Sequence, residues 1–142
     1  MSASDPELVR LVGLWTAKAQ ADLCLAELAL ELADPCPFDL VCYHAQQCAE
    51  KYVKSYLVSR QIDFPYSHDL RFLTGMIEKI IGAPFCRETS ALSVHASRTR
   101  YPFEAPDPDR AEAERCVDLS REVKQAVLAL LQNDGFPIAR QA

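Results

Sequence analysis

Tyr43-His44-Ala45-Gln46-Gln47-Cys48-Ala49-Glu50-Lys51-Tyr52-Val53-Lys54 is the stretch that decides the fold class. It holds no Gly or Pro, and Ala, Gln, Glu and Lys are good helix formers. With about 100° of turn per residue, Val41, Ala45, Cys48, Ala49, Tyr52, Val53 and Tyr56 share one face, which the spacing predicts to be core. His44, Gln47, Lys51 and Lys54 step by three, four and three along another side. One imidazole, one amide and two ammonium groups in a row suit a phosphate and a base edge. The same stripe also suits a solvated face or a polar seam between subunits.

Outward from this helix, which runs from about Phe38 to Ser59, the chain reads as further helices. Ser4 or Asp5 caps a first one, with Pro6 at its first position and an apolar pattern from Leu8 to about Leu32. Trp15 is expected there as a core anchor. Asp22 suits either a buried acid paired with a base on another helix or a solvated one. Ser67 or His68 starts a short third helix with Leu70, Leu73, Ile77 and Ile80 at helical spacing, and Gly82 is its cap. Pro84 opens a fourth short helix through Leu92 to about Ser97. The segment Arg98 to Pro106 holds two prolines, which rules out regular structure. Asp107 caps and Pro108 begins a last helix to Asn133, ended by Gly135. No stretch alternates as a strand does. The expectation is an all-α, up-and-down bundle of four to five helices in one domain over 1–142, with a core from about 5 to 133 and a short C-terminal tail.

A chain of 142 residues, 49% hydrophobic and 25% charged, can bury a substantial core. Its net charge is -5 and its pI about 5.2, which argues against a broad basic surface for duplex nucleic acid and leaves room only for a local basic cleft. Met1 to Pro6 lacks a basic segment with an apolar run behind it, and no apolar run reaches the ~18 residues of a membrane span. The expected location is cytoplasmic, with no membrane partner.

Six cysteines occur, none in a CxxC pair. Cys36, Cys42 and Cys48, spaced by six, scatter around a helix, so buried, reduced thiols are expected. His44 and Cys48 lie one turn apart, as half a zinc site does, yet no two further ligands follow at a suitable spacing. The expectation is therefore no metal and no cofactor.

GxGxxG, the Walker A loop, GxSxG, HExxH and paired-carboxylate motifs are all absent. His44, His68, His95 and the basic loop Arg98-Thr99-Arg100-Tyr101 remain. Arginine binds phosphate bidentately and a neighbouring tyrosine stacks on a base. In the alternative reading Arg100 pairs with an acid such as Asp22, and Tyr101-Pro102 only pins the loop.

Three segments, Tyr43 to Lys51, Ser67-His68-Asp69-Leu70 and Arg98-Thr99-Arg100-Tyr101-Pro102, together resemble the HEPN family (higher eukaryotes and prokaryotes nucleotide-binding); Ala19 to Leu23 resembles its first-helix signature. The resemblance spans roughly Leu14 to Leu130. It implies a helical bundle, usually a homodimer, that binds nucleotide or RNA and often works with a minimal nucleotidyltransferase partner in toxin–antitoxin-like pairs. It points to His44, Gln47, Lys51, His68, Arg100 and Tyr101 as nucleotide-binding positions. The family's ribonucleases carry Arg, four to six residues, then His. Here Arg60 to His68 and Arg87 to His95 each enclose seven, and His95 precedes Arg98. The expectation therefore leans towards a binding module. The alternatives are a diverged metal-independent ribonuclease, with His95 and Arg98 as its local catalytic candidates, and a structural dimeric adaptor.

Overall fold

A computed structural model of the chain describes residues 2–96, 102 and 106–138. Helix α1 spans Pro6–Leu30, α2 Phe38–Ser59 and α3 Leu70–Ile81. A 3-10 helix follows over Arg87–Ala96, and α4 spans Arg110–Asn133. No strand occurs among the described residues.

Helix α2 is the axis of the bundle. The other three α-helices and the 3-10 helix all pack on it, and α1 also touches α4. The seven apolar positions from Val41 to Tyr56 are all buried. So are Cys42, Gln46, Glu50, Lys54, Ser55, Leu57 and Ser59, so α2 is covered on nearly every side. The side carrying His44, Gln47, Lys51 and Lys54 is therefore not an open solvated face: the first three are half-buried and Lys54 is buried.

Local chemistry sets the helix ends. Asp5 caps α1 by accepting from Glu7 N at 3.0 Å. Asp69 is the cap of α3 and accepts from Arg71 N at 3.0 Å, so the helix begins at Leu70, later than a start at Ser67 or His68. Gly82 ends α3 at φ 71, a left-handed conformation that costs glycine little. The cap of α4 is Asp109, which accepts from Glu112 N at 2.8 Å, so the helix begins two residues later than Asp107 and Pro108 suggest. At its end Gly135 is left-handed (φ 87), and Phe136 N donates to Leu131 O at 2.9 Å, folding Phe136 back onto the core. The short segment after Pro84 is a 3-10 helix that starts at Arg87, not an α-helix. Trp15 is half-buried at the rim of the bundle, edge-on to Phe64 with ring centroids 6.1 Å apart, and is not a core anchor.

Candidate functional site

The polar side of α2 carries two acid–base networks. In the first, Asp22 of α1 answers two residues of α2: His44 Nδ1 lies 2.9 Å from Asp22 Oδ1, and Lys51 Nζ donates to Asp22 Oδ2. Asp22 is thus a largely buried acid paired with bases on another helix, its side chain 12% exposed. Nearby, Tyr52 donates its hydroxyl proton to Gln20 Oε1 at 3.0 Å, a second polar tie between α1 and α2. Spacing alone puts His44 and Lys51 on one stripe. What joins them is an acid in a different helix.

Glu50 is the centre of the second network. Its carboxylate accepts from Lys54 Nζ at 2.7 Å and Gln46 Nε2 at 2.8 Å, and lies 2.9 Å from His68 Nδ1. Gln47 Nε2 donates to Gln46 Oε1 at 2.7 Å, which attaches Gln47 to this network. Burial opposes ionisation of Glu50. The hydrogen bonds from Lys54, Gln46 and His68 outweigh it and hold the carboxyl below its usual range. The same network reaches two aromatic rings. Lys54 Nζ sits 5.5 Å from the centroid of the Phe64 ring. The Tyr66 ring stands edge-on to His68 at 5.2 Å and is 92% exposed.

At about 100° per residue, Gln46, Glu50, Lys54, Gln47, Lys51 and His44 follow one another around a continuous arc of α2, so the two networks adjoin. With the histidines neutral, two carboxylates balance two ammonium groups. The described arc is thus rich in hydrogen-bonding groups and poor in excess positive charge. Arg98, Arg100 and Tyr101 lie outside the described residues.

His95 is placed elsewhere. It is 4% exposed, with Nε2 3.3 Å from Glu112 Oε1 and one ring nitrogen close to the sulfurs of Cys42 and Cys116. A buried imidazole boxed in by thiols cannot reach an RNA backbone, so His95 does not fit the role of a catalytic acid or base. All six cysteines are free; Cys42, Cys48 and Cys116 are buried, Cys36 and Cys86 half-buried and Cys24 exposed. Burial pushes Cys48 up to about 12 and leaves it inert. Cys42 and Cys116 behave as a pair: the Cys42 hydrogen bond, with His95 beside it, lowers Cys116 against the effect of burial. The same contact, together with burial, raises Cys42 well above an ordinary thiol.

Sequence reasoning did not find Glu50, Gln46 and Tyr66 as site residues. Glu50 reads locally as a helix-favouring charge, and only the approach of His68 from the next loop reveals its role. Tyr66 carries a weak signal, an aromatic between Pro65 and Ser67 in a loop.

An apolar groove of about 370 Å³ borders the first network. Leu25, Leu28, Leu32 and Leu40 line it, and His44 stands at its edge. The four leucines are each about half exposed.

Residues 12–130 match the HEPN domain family model. The fold is similar to the crystal structure of TT1696 from Thermus thermophilus, with a TM-score of 0.72 and 25% identity, covering 83% of this chain and 96% of that one. No curated protein matches the chain. No described helix is long and apolar enough to cross a membrane. The five-helix architecture and a match that takes in α2, α3 and most of α1 and α4 lead to one conclusion: the chain belongs to the HEPN domain family, a class of nucleotide- and RNA-related modules.

Proposed function

We propose that this chain binds a nucleotide or a single-stranded RNA segment along the polar arc of α2 and works as a homodimer. The observation that carries the reading is Tyr66, a 92% exposed ring edge-on to His68, which Glu50 orients beside the arc. Exposed aromatics stack on unpaired bases, and oriented imidazole and amide groups read base edges. In this reading His44, Gln47 and His68 hydrogen-bond the base or ribose. Lys51 meets a phosphate together with Arg100, and Tyr101 is a second stacking group. The phosphate charge falls mainly to the arginines, because Asp22 already offsets Lys51.

The second copy covers the leucine-lined groove next to His44. The subunit seam in this reading lies on α1 and the start of α2, with His44 at its edge. A minimal nucleotidyltransferase-domain protein is the proposed partner, in a toxin–antitoxin-like system.

Fluorescence anisotropy with labelled single-stranded RNA, and calorimetry with nucleoside mono- and triphosphates, test this. Tyr66→Ala and Arg100→Glu should each weaken binding at least tenfold and leave stability within about 1 kcal/mol. Unchanged affinity in both variants removes the proposed site. If Arg100→Glu instead costs roughly 3–5 kcal/mol, Arg100 is one half of a buried ion pair.

One observation supports a second reading, a metal-independent ribonuclease. His44 and His68 each have Nδ1 held by a carboxylate, an arrangement that fixes the ring for proton transfer at the other nitrogen. RNA cleavage that persists with chelator, and falls at least a hundredfold in both His44→Ala and His68→Ala, would establish it.

A further inference from the structure

Cys42 of α2, His95 of the 3-10 helix and Cys116 of α4 bring one donor atom each to within 4.8 Å of one another, and all three residues are buried. We propose that these three side chains bind a zinc-type cation, which clamps the 3-10 helix to α2 and α4.

The donor set suits such an ion. Zinc takes thiolate and imidazole ligands in tetrahedral geometry, with bonds of about 2.3 Å to sulfur and 2.0–2.1 Å to nitrogen. Donors around one ion then stand about 3.5–3.8 Å apart, so sulfurs and nitrogen now within 4.8 Å need to close in by about 1.0–1.3 Å at most. Charge balances as well. The two thiols release two protons and the resulting thiolates neutralise the dication, so the buried site carries no net charge. Glu112 Oε1 lies 3.3 Å from His95 Nε2. There it holds the imidazole in orientation, which strengthens the site.

The site is independent of the nucleotide-binding reading but bears on it. His95 stands three residues before Arg98 and five before Arg100. Fixing the 3-10 helix fixes the point from which the basic segment departs. Local spacing conceals the site because its ligands sit on three separate elements, which is why the sequence suggests no metal.

Titration of the reduced full-length protein with cobalt(II) chloride under anaerobic conditions, followed by zinc chloride, tests the proposal. The expected result is one cobalt per chain with a thiolate-to-cobalt charge-transfer band and intense visible bands of a tetrahedral site, all displaced by equimolar zinc. Zinc should also raise Tm, and a chelator should reverse the rise. Cys42→Ser, Cys116→Ser and His95→Gln should each lose the bands. Cys48→Ser alters a buried thiol outside the cluster and should keep them. Glu112→Gln should keep the stoichiometry and weaken affinity by about 10–100-fold. A reduced wild-type protein that shows no charge-transfer band and no zinc-dependent Tm overturns the proposal, even if a variant fails to fold. Unaltered bands in the folded Cys42→Ser and Cys116→Ser variants overturn it equally.

Discussion

Glu50 is the residue on which the interior chemistry turns. Its side chain is 5% exposed and that of its partner Lys54 is 8% exposed, so neither charge has water to fall back on. Removing the acid leaves the ammonium buried and unpaired. Glu50→Ala is therefore expected to destabilise the fold by roughly 3–5 kcal/mol in urea unfolding, whereas replacing an exposed acid such as Asp118 changes it by less than about 0.5 kcal/mol. The pair also predicts an acid response. The Glu50 carboxyl is lowered in the folded chain, so the unfolded chain binds its proton first as pH falls. The stabilisation is complete above the ordinary glutamate value of about 4.3 and is lost as pH drops through the lower folded value. The stability difference between the wild type and Glu50→Gln should shrink over that acid window. Asp22 is a milder case, because His44 and Lys51 share it and the site is partly wet. Lys51→Ala should cost about 1–3 kcal/mol, with His44 still holding the acid.

At the scale of elements, the end of α2 shows where local rules and sequence disagree. Gln61 is left-handed at φ 54, and Ile62 N donates to Leu57 O at 3.0 Å while Gln61 N donates to Val58 O at 2.9 Å. This is the hydrogen-bond pattern in which glycine usually occupies the left-handed position, as Gly135 does at the end of α4. A side chain there costs about 1–2 kcal/mol of backbone strain, part of which glycine returns as lost chain entropy. Gln61→Gly should stabilise the protein by about 0.5–1 kcal/mol, read as a higher urea midpoint at unchanged slope. Gly135→Ala should do the reverse, since at φ 87 a residue with a Cβ is strained, although the space beside Ala3 would accept it. The 3-10 helix is held near its C-terminal end by other elements. Ser93 Oγ accepts from Leu70 N at 2.9 Å at the start of α3, and the buried His95 anchors it beside α4.

For the whole molecule, the half-exposed leucines of the groove between α1 and the start of α2 form the surface on which the proposed second copy sits. Static light scattering at micromolar concentration should give twice the 15.9 kDa chain mass. Leu28→Glu, at a position 57% exposed, should shift the protein to monomer without unfolding it. A wild-type protein that stays monomeric would sink the dimer proposal. An acidic pI with charge offset inside the arc also predicts weak duplex binding. Any RNA affinity should fall with salt by the shallow slope of one or two phosphate contacts, not the steep slope of a basic surface.

The sequence by itself determined the fold class, the bounds of α2, the left-handed ends at Gly82 and Gly135, and the family, and it narrowed the cap of α1 to Ser4 or Asp5. These depend on helical periodicity, on turn chemistry and on motifs in fixed order, all of which are written locally along the chain. It also placed His44 and Lys51 on one side of one helix. Only the tertiary structure decided what that side faces. Asp22 meets it from α1, His68 reaches Glu50 from the following loop, and Cys42, His95 and Cys116 gather from three elements. Such pairings depend on the relative rotation and packing of separate helices, and many packings are compatible with the same pattern of apolar residues. The start of α4 at Arg110 and the 3-10 form of Arg87–Ala96 were likewise left to the tertiary structure. A short polar segment with several possible caps takes its conformation from what packs against it.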